Sequence, residues 1–162
     1  MNDTAQELAA RLIRNVDGVA LKHVVRGNLY ESRGCSLSNG TAAKKLAAAV
    51  DTLPPGKRSC PYHFHHAEEE MFIVLAGQGT LRVAGHMLPI TAGDVVFIPP
   101  GPDYPHHILN TSDAALSYIS IGTNEPIEIC EYPDSGKYLV GAPNFHTINR
   151  TGAELDYWDG EG

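Results

Sequence analysis

Cysteine is scarce in this 162-residue chain. There are three, Cys35, Cys60 and Cys130, an odd number with no C-x-x-C pair. That argues against a secreted disulfide framework and against a Cys-based zinc module. Positive charge is also short: 12 Lys and Arg stand against 19 Asp and Glu, a formal net charge of −7. No basic patch of the kind nucleic acid requires stands out, and an acidic chain is poorly matched to an anionic membrane. No apolar run approaches the ~20 residues that span a bilayer. The start, Met1-Asn2-Asp3-Thr4, has no basic residue followed by an apolar stretch. The expectation is therefore a cytoplasmic protein with no nucleic-acid and no membrane partner. Neither a repeat nor a low-complexity tract is visible. The apolar fraction of 43% fits one folded domain of ordinary size.

Histidine, by contrast, is plentiful: eight residues, five of them in two tight clusters. Around these clusters the chain has a clear texture. Thr4 followed by Glu7 forms a capping-box pattern, and Leu8, Leu12 and Ile13 recur near helical spacing. A short helix is expected to about Asn15, stopped at Asp17-Gly18. From Val19 onward, Gly, Pro, Asn and Asp punctuate the chain every 8–12 residues or so, the rhythm of an all-β sandwich or barrel. Strands are expected near 72–75, 80–83, 88–91, 95–98, 106–109 and 115–121. Thr41 to Val50 is ambiguous: its Ala, Lys and Leu favour a helix, whereas its place before Leu53-Pro54-Pro55-Gly56 favours a strand over its second half. The expected organisation is a helical appendage at 1–18, a β-barrel at 19–125 and a loop-rich tail at 126–162. The tail carries the single Trp158 and is expected to pack on the barrel or on a partner subunit. Candidate interior residues are Phe72, Val74, Leu81, Val83, Val95, Phe97, Ile108 and Tyr118.

His63 and His65 are two apart, so a strand would place both on one face. Glu70 follows after a stretch that can turn the chain, and His106 lies on a later strand. A closed barrel could bring the four together. Imidazole and carboxylate suit Fe, Mn, Ni, Cu or Zn, and four protein ligands leave room for substrate or dioxygen on a six-coordinate ion. His66 and His107, next to these positions, would face the other way on a strand. Glu68 and Glu69 read as turn carboxylates. Tyr62, Tyr104 and Tyr118 read as core aromatics, and Cys60 as a small apolar filler.

The pattern resembles the cupin superfamily. Its first motif matches Gly56, His63-x-His65, four residues, Glu70, six residues and Gly77. Its second matches Gly93, Pro99-Pro100-Gly101, His106 and, three residues on, Asn110. The gap from Gly101 to His106 is longer than usual, and the spacing to Asn110 favours His106 over His107. The resemblance covers roughly 46–122 and implies a double-stranded β-helix, or jelly-roll barrel. It also implies one divalent transition metal per chain (Fe, Mn, Ni or Zn) held by His63, His65, Glu70 and His106. The longer turn before His106 and the tail Glu131-Tyr132-Pro133-Asp134-Ser135-Gly136-Lys137 further resemble small bacterial single-domain cupins, some of them labelled sugar-phosphate isomerases. That implies a small-molecule substrate and a metal-dependent sugar or sugar-phosphate isomerase. Because Glu70 would be a ligand, Glu69, His66 or a tyrosine would have to move the proton, and Lys57, Arg58 or Arg82 would meet a phosphate. The alternatives are an Fe(II) dioxygenase on the same ligands and a sugar-binding module without turnover. Jelly rolls expose sheet edges that second subunits cover, so a homodimer is expected, with the N-terminal segment and early strands as its cover.

Overall fold

The computed structural model describes residues 3–152 and 154–162. Helix α1 (Ala5–Leu12) begins as the capping box requires. Glu7 N–H donates to Thr4 Oγ1 at 3.3 Å, and Thr4 N–H donates to Glu7 Oε2 at 2.7 Å. The helix has no buried residue, and Leu8, Leu12 and Ile13 are exposed. No side chain of it is buried against the main body, and Ala42 N–H donates to its Arg11 O at 2.9 Å.

Apart from two single-turn 3-10 helices (Val16–Gly18 and Pro133–Ser135), the elements after it are strands: β1 (Lys22–Arg26), β2 (Tyr30–Ser36), β3 (Leu46–Leu53), β4 (Phe64–His65), β5 (Glu70–Ala76), β6 (Gln78–Val83) and β7 (His86–Thr91), then β8 (Val95–Ile98), β9 (His106–Leu109), β10 (Leu116–Thr123), β11 (Glu128–Tyr132), β12 (Lys137–Ala142) and β13 (Phe145–Arg150). The ambiguous segment before Pro54 is a strand over its second half. Three antiparallel sheets result, ordered β1-β2-β3-β10-β5-β8, β13-β12-β11-β4 and β7-β6-β9. The architecture is the all-β double-stranded β-helix with one short helix.

The core lies between the six-stranded and three-stranded sheets. Leu53, Phe72, Val74, Ile98, Leu116 and Tyr118 face Leu81, Val83, Ile90 and Ile108. Gly77 makes the tight passage from β5 to β6 with φ of +80°, and any Cβ there would strike the Ala115 carbonyl oxygen. Only glycine meets both demands.

Three expectations need correction. Val95 and Phe97 are exposed (46% and 67%), while Ile98 is buried and Val96 packs against the core. In β8 the pairs Phe72↔Val96 and Glu70↔Ile98 set the phase. Four apolar residues in a row carry no polar residue to reveal it. The segment 126–162 is not loop-rich: β11, β12 and β13 form an antiparallel meander whose first strand adds to β4. Its short strands mix Glu, Lys, Gly and Ala with apolar residues, so the alternation is weak. Trp158 does not pack on the barrel; it is 71% exposed, stacked edge-on only against Tyr157.

Candidate metal centre

The first cluster enters along β4. His63 sits just before that strand and bridges to His106, the first residue of β9. The two exchange main-chain hydrogen bonds, His63 N–H to His106 O at 3.1 Å and His106 N–H to His63 O at 2.7 Å. His65 pairs with Cys130 of β11. Glu70 opens β5, opposite Gly122 of β10, where no side chain competes for its space.

These elements bring His63, His65, Glu70 and His106 together. Their Nε2 atoms lie 3.9, 3.5 and 2.9 Å from Glu70 Oε2, in the order His63, His65, His106. The 2.9 Å approach lacks hydrogen-bond geometry. Glu70 Oε2 and His106 Nε2 are both buried without a partner, an arrangement that costs free energy unless a third group sits between them. The other ring nitrogens of His63 and His106 are occupied, whereas His65 Nδ1 is buried without a hydrogen-bond partner. His63 Nδ1 lies 2.9 Å from Pro61 O, and His106 Nδ1 lies 3.1 Å from Tyr104 O. A carbonyl can only accept, so each Nδ1 carries the proton and each Nε2 presents a lone pair. This is how a metal-binding imidazole is ordinarily oriented. Burial, then the neighbouring His106, pushes the His63 pKa down to about 4, so the ring is neutral at pH 7. Burial alone would raise the Glu70 pKa, but the imidazoles around it outweigh that and hold it below its ordinary value. The residues therefore fit a divalent cation: neutral nitrogens, one anionic oxygen, and buried atoms in want of a partner. His63, His65 and Cys130 form a second, overlapping donor group, although burial pushes the Cys130 thiol up to about 11.

Sequence reasoning missed Glu128, the first residue of β11. Its Oε1 accepts the N–H of His66 at 2.9 Å, and its Oε2 accepts those of Ala67 and Glu68, each at 3.0 Å. Oε1 also lies 3.3 Å from His65 Nδ1. One buried carboxylate thus braces the loop between His65 and Glu70 and faces the back of the His65 ring. No local signal marks it, because the partners are about sixty positions away.

Other expected residues lie elsewhere. Glu69 is exposed, and its side chain does not join the cluster. His66 is exposed, with Nε2 2.7 Å from Glu131 Oε1. His66 follows β4 and Glu69 precedes β5, and neither is one of the four converging groups. His107 does not join the four converging groups; it borders the inner cavity and is buried edge-on to Tyr62, both ring nitrogens unpartnered. Of the three cations expected near a phosphate, Lys57 binds Asn28 O and Glu31, Arg82 is paired with Asp134 at 2.5 and 2.8 Å, and Arg58 lies over the Tyr30 ring.

Two cavities meet at the cluster. One, of about 540 Å³, touches His63 and His65 and is lined by Cys60, Glu68, Glu128 and Tyr132 among others. The second, of about 300 Å³, lies inside the barrel against His63, Glu70 and His106, and is lined by Asp51, Ser59, Tyr118 and Ser120. None of the three expected cations lines either one.

The cupin domain family model matches residues 49–122, from β3 to β10, a stretch that contains all four converging residues. The chain carries a cupin domain. Among solved structures it is similar to a candidate sugar phosphate isomerase from Acidithiobacillus ferrooxidans (26% identity, 96% of this chain and 95% of that one, TM-score 0.78). A sugar phosphate isomerase of the cupin superfamily from Silicibacter pomeroyi shares the fold at 21% identity, over 88% of this chain and 96% of that one, with a TM-score of 0.75. Among curated proteins, an oxalate-binding protein from Thermotoga maritima is 38% identical over 69 residues, 43% of this chain. The match spans 54% of that protein's length. Among the described residues of the cupin chain, no helix is long and apolar enough to cross a membrane.

Proposed function

We propose that the chain is a metal-dependent enzyme acting on small hydroxylated carbonyl compounds, with sugar or sugar-phosphate isomerisation as its reaction. The observation that carries this is the convergence of three Nε2 atoms on a Glu70 oxygen that, like His106 Nε2, is buried and unpartnered. His63, His65, Glu70 and His106 would hold one divalent transition metal. When bound, the metal would supply a Lewis acid that polarises a carbonyl and an adjacent hydroxyl.

The chain's own groups provide the rest. The hydroxyls of Ser59, Tyr118 and Ser120 line the inner cavity and offer both donors and acceptors to a polyol. Phe72 and Ile108 close it on the apolar side and limit water. A phosphate has a place outside it. A groove of about 640 Å³ carries Arg14 and Lys22 and shares Ser32 and Asp51 with the inner cavity. The similarity to the Acidithiobacillus protein supports the same reading. A dicarboxylate such as oxalate fits less well, because Asp51, Glu68 and Glu128 face the two cavities at the cluster and would repel it.

The test is elemental analysis of freshly purified protein, followed by aldose–ketose interconversion assays on five- and six-carbon sugars with and without phosphate. About one transition metal per chain and interconversion of a panel member are expected. Metal-free protein with undisturbed folding would overturn the reading. Oxygen consumption by an iron-loaded protein would move it to a dioxygenase.

A further inference from the structure

Asp51 is an acid in an unusual place. It lies in β3, directly across from Tyr118 of β10 on one side and Gly34 of β2 on the other. Tyr118 belongs to the core, so this register turns Asp51 to the barrel's inner face, the face that also carries Ser120 and Glu70. Gly34 makes the room, since a Cβ there would run into the Asp51 carboxylate. Among the described residues no Lys, Arg or His pairs with Asp51. Burial raises its pKa, with the Ser32 hydroxyl opposing in part. A half-buried carboxylate without a cation destabilises a fold. Such groups in clefts are candidates for acid–base work.

Its position relative to the cluster suits that work. Asp51 and Glu70 line the same 300 Å³ cavity from different strands, with the Ser59–Tyr118 hydroxyl pair (2.7 Å) on the same wall. Asp51 is also where this cavity meets the groove of Arg14 and Lys22.

We propose that Asp51 is the proton-transfer residue of the site, acting on a sugar whose carbonyl end faces His63, Glu70 and His106. This rests on the isomerase reading above. The carboxylate removes the proton from the hydroxyl-bearing carbon beside the carbonyl. The C–H electron pair becomes the carbon–carbon π bond, and the former carbonyl oxygen receives the displaced pair. The Asp51 carboxyl then returns the proton to the neighbouring carbon, and the hydroxyl proton moves from one oxygen to the other. Nothing is oxidised or reduced overall. A phosphate at the far end would extend past Asp51 toward Arg14 and Lys22.

The test compares wild type, Asp51→Asn and Asp51→Glu, each loaded with metal. Exchange of the carbon-bound hydrogen beside the carbonyl is followed by proton NMR in D2O on the same sugar panel. The expected result is a loss of ~100-fold or more in Asp51→Asn, with partial recovery in Asp51→Glu and unchanged metal content. Exchange within about threefold of wild type would overturn the proposal. A second readout separates this from failure of the isomerase reading: thermal unfolding at pH 7. A carboxylate kept for chemistry should leave Asp51→Asn more stable than wild type, whereas a lower melting temperature would overturn the role of Asp51 whatever the substrate. If the metal-loaded wild type exchanges no panel member, the isomerase reading falls, and the assignment to Asp51 falls with it.

Discussion

His63 and His106 are tied to each other through their backbones, each donating its N–H to the other's carbonyl at 3.1 and 2.7 Å. The pair joins two segments 43 positions apart and aims both Nε2 atoms at Glu70 Oε2. Removing either side chain leaves this main-chain link in place. His63→Ala with His65→Ala should therefore lose the metal while the barrel stays folded, read by elemental analysis beside circular dichroism. His106→Ala should lose metal by tenfold or more, whereas His107→Ala should keep it. The reverse result for the two single variants would move the fourth ligand to His107.

Glu128 braces the loop between His65 and Glu70 and faces His65 Nδ1. Groups that orient a ligand from behind typically change metal affinity ~10–100-fold when removed. Glu128→Ala should weaken metal binding by that order in a competition titration with a chromophoric chelator. Glu128→Gln, which keeps one acceptor oxygen, should fall between. Equal affinities in all three proteins would reduce Glu128 to a loop anchor.

His107 sets a pH dependence of stability. Burial, then the charges of Arg58 and Arg82, lowers its pKa to about 4 from an ordinary 6.5. The unfolded chain binds the proton more readily across that window, so folding stability is full above about pH 6.5 and falls as the pH drops toward 4. His63 has the same sign. Metal-free protein should show a melting temperature that declines over this range. His107→Leu should flatten part of the decline, and also relieves two unpartnered buried nitrogens. An unchanged slope in the variant would show that the proton goes elsewhere.

The proposed homodimer has its own test. Leu8, Leu12 and Ile13 around α1 and Val24 and Val25 of β1 are exposed, and β1 is the free edge of the six-stranded sheet. Light scattering should give twice the chain mass, and Val25→Asp should shift it to one chain without a loss of helix or strand signal. A wild-type protein that is monomeric at micromolar concentration would remove the dimer.

Much of the His/Glu cluster is legible in the sequence itself, because its signals are short-range. The two-residue spacing of His63 and His65 becomes a shared face only in extended chain. The turn residues between Glu70, Gly77 and Gly93 mark where the strands stop. The capping box Thr4–Glu7 is equally local, and α1 begins there. The phase of β8 was not legible, since Val95-Val96-Phe97-Ile98 offers four apolar residues and no contrast. Nor were β11, β12 and β13, whose polar and small residues look like loop until β11 finds the edge of β4.

The make-up of the His63, His65, Glu70 and His106 cluster was thus written in residue types and short spacings, together with the strand rhythm that implies a barrel. What surrounds these four residues was decided by strand register between distant segments. Glu128 meets the loop after His65 only because β11 pairs with β4, and Asp51 shares a cavity with Glu70 only because β10 lies between β3 and β5. Pairings of that kind are set by total burial across the whole barrel, and no window of neighbouring residues contains that information.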